Sequence, residues 1–296
     1  MKLIVTGANG LLGTDVWKVF SDTHELIALG RTRPAHVPLA QWREGDLRNA
    51  AAVYALITRE NPDGIIHCAA YNDVDRAESH PEDAFQVNAI GTRNLALACQ
   101  RFDSILLSVS TDYVFDGAHT DTAGYREFDQ THPLSAYAES KLWGETFTRE
   151  LLNKFYIVRT SWLFGEARPT FVEKVVQGAR NGQPVPCVSD MCSAPTYTTD
   201  LARGLKQLMD SGCFGVYHLT NYGFCSRVEL AQEILRIHKL PESIIKPLKQ
   251  GELKLPAQRP VFSGLQNLAW TLNGFAPLRS WKDALREHFG AKIPSQ

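Results

Sequence analysis

No stretch of the chain stays apolar for the roughly 18–20 residues that a membrane span needs, and the amino terminus has no signal-like segment. Neither insertion nor export is expected. Charge of one sign is also lacking: 31 lysines and arginines nearly cancel 32 aspartates and glutamates, so no global field would recruit nucleic acid or an anionic membrane. Any phosphate must be held locally. The six cysteines lack Cys-x-x-Cys spacing and the nine histidines lack His-x-x-x-His or Cys/His grouping, so no metal-ligand set is read, and a reducing cytoplasm is the expected compartment. No repeat or low-complexity segment marks a linker.

What is there is a rhythm. In the first half, strand-length apolar runs (Leu3 to Thr6, Leu26 to Leu29, Gly64 to Cys68, Ile105 to Val109, Tyr156 to Val158) alternate with helix-periodic stretches (Leu11 to Phe20, Ala50 to Glu60). Ser79-His80-Pro81-Glu82 has capping-box spacing and predicts a long helix to about Arg101, while Ser135 predicts the cap of another. After Arg159 the pattern loosens, although Ser226 to His238 and Ser280 to His288 still read as amphipathic cover helices.

Three local features carry chemistry. Gly7-Ala8-Asn9-Gly10-Leu11-Leu12-Gly13 lies where the first strand becomes the first helix, the place where glycines let a backbone turn tightly under a pyrophosphate and helix N–H groups face the phosphates. Together with the alternating pattern, this predicts an α/β fold: a Rossmann-type doubly wound parallel sheet with a smaller C-terminal α+β substrate domain. Residues 1–165 are expected to bind the dinucleotide and 166–296 to face the substrate, with about 185–215 returning to the sheet. Strand two ends in Leu29-Gly30-Arg31-Thr32-Arg33 and lacks the carboxylate that would hold an adenosine ribose 2′-hydroxyl. Arg31, with Arg33 as the weaker candidate, is therefore expected to clamp a 2′-phosphate, which favours NADPH and leaves NADH as the alternative. Two solvated loop arginines are the plain reading. Asp46-Leu47, after the weak Trp42 to Gly45 segment, is placed beside the adenine. Finally, Tyr137 and Lys141 stand four residues apart on one helical face, where an ammonium can lower a phenol's pKa and make it a general acid. Alone, Tyr-x-x-x-Lys more often describes two surface residues of an amphipathic helix; the glycine turn and the hydroxyl cluster Ser108-Val109-Ser110-Thr111 reverse that.

These residues resemble the extended short-chain dehydrogenases/reductases, and within them the dTDP-4-dehydrorhamnose reductase family. The likeness rests on Thr6 to Gly13, on Ala69-Ala70-Tyr71-Asn72-Asp73-Val74-Asp75-Arg76-Ala77-Glu78, on Val87-Asn88, on Ser110-Thr111-Asp112-Tyr113-Val114-Phe115-Asp116-Gly117 and on Arg159-Thr160-Ser161-Trp162. It implies that Thr111 orients a sugar ketone, Tyr137 protonates the forming alkoxide, and Lys141 tunes Tyr137 and holds the nicotinamide ribose. It implies that Gly10, Leu11, Leu12, Asp46, Leu47, Ala70, Tyr71 and Asn72 meet the cofactor, and that Asp112 and Trp162 meet the sugar. Tyr113 is left out of the catalytic set as a packing aromatic. Arg259-Pro260 is similar to an element near the substrate nucleotide, with a surface role as the alternative. The resemblance further implies a homodimer and, in some members, magnesium. Asn72 stands where the family usually has threonine, and Met191 and Ser193 where it has glutamine and glycine, so sugar specificity is what these departures touch.

The implied activity is NADPH-dependent reduction of a nucleotide-linked 4-keto sugar, dTDP-4-dehydro-L-rhamnose to dTDP-L-rhamnose. Two alternatives are weighed against it. An epimerase or dehydratase would recycle tightly held NAD, but dehydratases of this type resemble one another in an Asp-Glu pair after the threonine, and here Thr111 is followed by Asp112-Tyr113. A non-catalytic subunit resembling the regulatory subunit of methionine adenosyltransferase would keep the fold to bind a partner; the intact Thr111, Tyr137 and Lys141 argue against it.

Overall fold

Seven parallel strands form the centre of the computed structural model, which describes residues 1–118 and 123–290. They are β1 (Lys2–Thr6), β2 (Glu25–Gly30), β3 (Trp42–Glu44), β4 (Gly64–His67), β5 (Ile105–Thr111), β6 (Phe155–Thr160) and β7 (Gly215–His218), in the order β7-β6-β5-β4-β1-β2-β3. The central strands are runs of isoleucine, leucine and valine because both of their faces are covered. On one face, helices Leu11–Phe20 and Thr198–Ser211 bury Leu12, Val16, Phe20, Leu201, Leu205 and Leu208. On the other, Ala50–Glu60 and Gly91–Phe102 bury Val53, Leu56, Ile57, Leu95 and Cys99. A separate apolar cluster is built from helices Phe171–Arg180, Arg227–Ile237 and Trp281–His288 around the parallel pair Val185–Val188 and Ile245–Leu248. Thus Thr198–Ser211 and Gly215–His218 return to the large sheet, whereas Val185–Val188 stays with the smaller cluster.

The helix expected to open at Ser79 is built differently. Val74–Ser79 is a short helix of its own, capped by the Asp73 carboxylate, which accepts from Arg76 N at 3.0 Å. The chain then breaks at His80 and restarts at Pro81, because a proline excludes its predecessor from the helical region yet suits a first helical position. Phe85–Ile90 is a π-helical turn inside the continuing helix. Such a turn displaces one residue, here favouring Asn88, whose side chain accepts from Tyr71 N at 2.8 Å and donates to Tyr71 O and to Ser140 Oγ.

Helix Ala136–Leu151 is docked by a buried ion pair. Arg159 of β6 meets Glu145 with Nη2 to Oε2 at 2.7 Å and Nε to Oε1 at 3.0 Å, and Ser110 of β5 donates to Oε1 at 2.6 Å. Both side chains are essentially inaccessible. Burial alone would raise the Glu145 pKa, but Arg159 and Ser110 overcome it and hold the carboxyl below its ordinary value. Glu145→Gln, which strands the Arg159 charge, should cost about 3–5 kcal/mol. Replacing both partners by apolar residues of similar volume should cost less, as read from urea unfolding midpoints; equal losses would mean that the pair is not the source.

Candidate active site

The glycine-rich turn is shaped for close backbone contact. Gly7 has φ +71°, and its carbonyl accepts from Gly10 N at 2.8 Å. A Cβ on Gly13 would stand 2.0 Å from that same carbonyl oxygen, so no larger residue fits. Gly10 caps helix Leu11–Phe20 without a side-chain bond, leaving first-turn N–H groups for a ligand. Two cavities meet over this turn. The larger, about 540 Å³, is lined by Gly10, Leu11, Leu12 and Gly13 and runs to Thr111, Tyr137, Lys141 and Trp162. The smaller, about 280 Å³, is lined by Gly7, Gly10, Arg31, Asp46 and Leu47. Ala70 and Asn72 line both. Paired chambers joined over a helix amino terminus have the form that a dinucleotide needs.

In the smaller chamber Arg31 faces the cavity, while Arg33 is turned away and donates to Val37 O at 2.6 Å. The Asp46 carboxylate is engaged with Arg48 at 2.6–3.0 Å, whose hydrogen bonds hold its pKa below the ordinary range. Leu47 is buried, and its carbonyl accepts from Asn94 at 2.8 Å. Tyr71, expected at the cofactor, lines neither cavity. Its backbone is held by Asn88, and its hydroxyl is buried without a partner.

The larger chamber brings Thr111, Tyr137 and Lys141 together from the end of β5 and from one face of helix Ala136–Leu151, whose cap Ser135 accepts from Ala138 N at 3.2 Å. The Tyr137 phenol lies within hydrogen-bonding reach of Thr111. Yet burial drives its pKa up, with the charges of Asp112 and Tyr113 adding to the rise and Thr111 opposing it. This departs from the expected lowering by Lys141. The Lys141 ammonium donates instead to Val109 O at 2.7 Å, and burial brings its own pKa down to about 8 against the pull of Glu145 and Cys68. His67 is a β4 residue, as expected, and is neutral: burial lowers its pKa to about 3. Thr92 gives its proton to Asn88 O, so His67 Nε2–H donates to Thr92 and Nδ1 accepts from Thr6 at 2.7 Å.

Asp112 lines the chamber but its carboxylate is taken. Ser263 donates to Oδ2 at 2.5 Å, Ser193 to the same oxygen at 3.0 Å, and Thr111 to Oδ1 at 3.2 Å. Ser193, one of the departures noted in the sequence, thereby ties its loop to β5. Trp162 adopts φ +41°, a costly conformation for an aromatic residue, and its indole Nε1 is buried without a partner. The Arg227 guanidinium stacks 3.6 Å from the Trp162 ring centroid. Tyr113 also lines the chamber, edge-on to Tyr137 at 6.3 Å. Arg259 pairs with Asp75 at 2.8 and 3.0 Å and reaches Tyr113. Arg227 and Ser263 were missed because they come from segments distant in sequence with no motif of their own, and Ser193, noted only as a departure from the family pattern, was not paired with Asp112. Among the described residues, no group of three or more His, Cys, Asp or Glu side chains could hold a metal ion, and no helix is long and apolar enough to cross a membrane.

Comparison with known proteins agrees with this geometry. A family model described as RmlD substrate binding domain matches residues 1–292. The chain is 36% identical to a dTDP-4-dehydrorhamnose reductase of Streptomyces griseus, over 98% of this chain and 93% of the relative. The crystal structure of a dTDP-4-dehydrorhamnose reductase from Clostridium acetobutylicum superposes with a TM-score of 0.89 at 34% identity, covering 98% and 99% of the two chains. That of a dTDP-4-dehydrorhamnose reductase from Bacillus anthracis, in complex with NADP, gives 0.85 at 34% identity over 97% and 98%.

Burial raises the Asp112 pKa to about 6, and the hydrogen bonds from Ser263, Ser193 and Thr111 only partly offset it. The folded chain thus keeps a proton that the unfolded chain loses near pH 4, so Asp112 makes stability fall as pH rises from about 4 to about 6. Asp112→Asn should remove about 2–3 kcal/mol of that fall. Urea unfolding of both proteins across this range measures it; parallel stability curves would contradict the assignment.

Proposed function

Because the chain belongs to the RmlD substrate binding domain family, we propose that it is an NADPH-dependent oxidoreductase that converts dTDP-4-dehydro-L-rhamnose to dTDP-L-rhamnose. The observation that carries this reading is the convergence of Thr111, Tyr137 and Lys141 in a chamber continuous with the one lined by Arg31. Bound NADPH would supply the hydride. Arg31 would hold its 2′-phosphate with a charge-assisted contact, and the turn at Gly10 would receive its pyrophosphate. Its six unpaired thiols fit a cytoplasmic site of action.

The chain's own residues manage the proton and the developing charge. Tyr137 directs its hydroxyl at the C4 carbonyl oxygen, and Thr111, already within reach of Tyr137, turns its single hydroxyl proton from Asp112 Oδ1 to that oxygen when the sugar binds. With its raised pKa, Tyr137 keeps its proton until the oxygen becomes basic enough to take it. Lys141 then meets the phenolate with positive charge, and it also presents donors to the nicotinamide ribose. Trp162 walls the sugar side and excludes water. Asp112 acts through Thr111: by accepting from that hydroxyl and from two serines, it sets the position of the Thr111 oxygen and of the loops around the sugar. An elimination reaction would need a free carboxylic acid beside Thr111, and the one there is committed to Ser193 and Ser263.

Incubating the purified protein with dTDP-4-dehydro-L-rhamnose and NADPH should give loss of the reduced cofactor's absorbance, faster than with NADH at equal concentration; no loss with either would refute the reading. Tyr137→Phe should lower turnover by about 10²–10⁴-fold with NADPH affinity nearly kept. Since Lys141 is charged below about pH 8 and neutral above it, kcat/KM should decline on the alkaline side from about pH 8, and a flat profile to pH 10 (about the ordinary lysine value) would remove that role.

A further inference from the structure

Arg168 is a residue of both chambers. It lines the larger one and the smaller one together with Gly10, and it comes from a different segment, the stretch between β6 and helix Phe171–Arg180. That stretch is pinned at both ends. On one side Phe164 pairs with Tyr197, Thr198 Oγ1 donates to Phe164 O at 3.2 Å, and a Cβ on Gly165 would stand 2.0 Å from the same hydroxyl. On the other, Thr170 caps the next helix: its N–H and its hydroxyl donate to Glu173 Oε2 at 2.6 and 2.7 Å, and its hydroxyl oxygen accepts from Val172 N at 3.2 Å. Pro169 restricts the Arg168 backbone to extended conformations. The guanidinium is exposed and makes no ion pair or hydrogen bond with any described residue. A cation without a partner among the described residues thus lies where the two chambers share a lining with Gly10, whose helix amino terminus favours anions.

We propose that Arg168 binds the pyrophosphate of the nicotinamide dinucleotide. This inference rests on the dinucleotide reading given above. The pyrophosphate is the one strongly anionic group of the cofactor that must cross the junction. A substrate diphosphate has no reason to reach the adenosine chamber that Arg168 also lines. The contact differs from that of Arg31 in what it distinguishes: Arg31 separates NADPH from NADH, whereas Arg168 serves both alike.

Titration of wild type and Arg168→Ala with NADPH, NADH and adenosine 2′-monophosphate, which lacks both phosphates of the pyrophosphate, tests this by binding alone. Both dinucleotides should weaken by the same factor, about ten- to a hundredfold for one charged hydrogen-bonded contact, while the monophosphate should bind as before. Arg168→Lys should recover part of the loss, and the unfolding midpoint should not move. Unchanged dinucleotide affinity in Arg168→Ala, or an equal loss for the monophosphate, would overturn the inference alone. A wild-type protein that binds none of the three would overturn the dinucleotide reading with it.

Discussion

Tyr137, Lys141 and Glu145 repeat at intervals of four along one helical face, and the last of them is clasped by Arg159 where water does not reach. That buried pair sets the distance between the helix and the ends of β5 and β6. A shift of one residue in the docking of the helix would carry Tyr137 away from Thr111 and Lys141 away from Val109 O. Removing two charges from water is expensive, and apolar residues would hold the helix at least as well. What the pair adds is a bidentate register, strengthened by Ser110, in the strand that ends in Thr111.

Much of this was legible in the sequence because it is local. The glycine turn, the alternation of strands and helices, and the four-residue spacing of Tyr137 and Lys141 each depend on neighbours in the chain. The parallel sheet, and the meeting of Gly10 with Thr111, follow from that pattern once βαβ connections are assumed. What was not legible is what depends on segments far apart. Pairing Ser193 and Ser263 with Asp112 spans 81 and 151 positions; Ser193 stood out only as a departure from the family pattern, and Ser263 carries no signal of its own. Tyr71 was read as a cofactor contact from its motif, yet the π-helical turn brings Asn88 to its backbone instead. The pKa of Tyr137 was read from spacing to Lys141, and the burial of the phenol outweighs it.

The sugar side of the cleft holds costs that packing alone would not select. Trp162 sits at positive φ, its buried indole N–H has no partner among the described residues, and the Arg227 guanidinium stacks on its ring without an ion pair to a described residue. Asp112 is buried as a carboxylate and tethered by three hydroxyls. Strain and buried polarity of this kind are maintained where the surroundings over-determine them, commonly at binding sites. Here they fix the Trp162 ring and the Thr111 oxygen relative to each other, on the walls of the larger chamber.

The central claim is that hydride is delivered to C4 of a dTDP-linked keto sugar in the chamber bounded by Thr111, Tyr137 and Trp162. Its most direct test is to run the reaction with NADPH deuterated at the transferable position of the nicotinamide ring and examine the purified sugar product by NMR and mass spectrometry. The account predicts one deuterium per product molecule, located at C4 and in a single configuration. Oxidation of the cofactor with no deuterium in the sugar, or label at any other carbon, would contradict it.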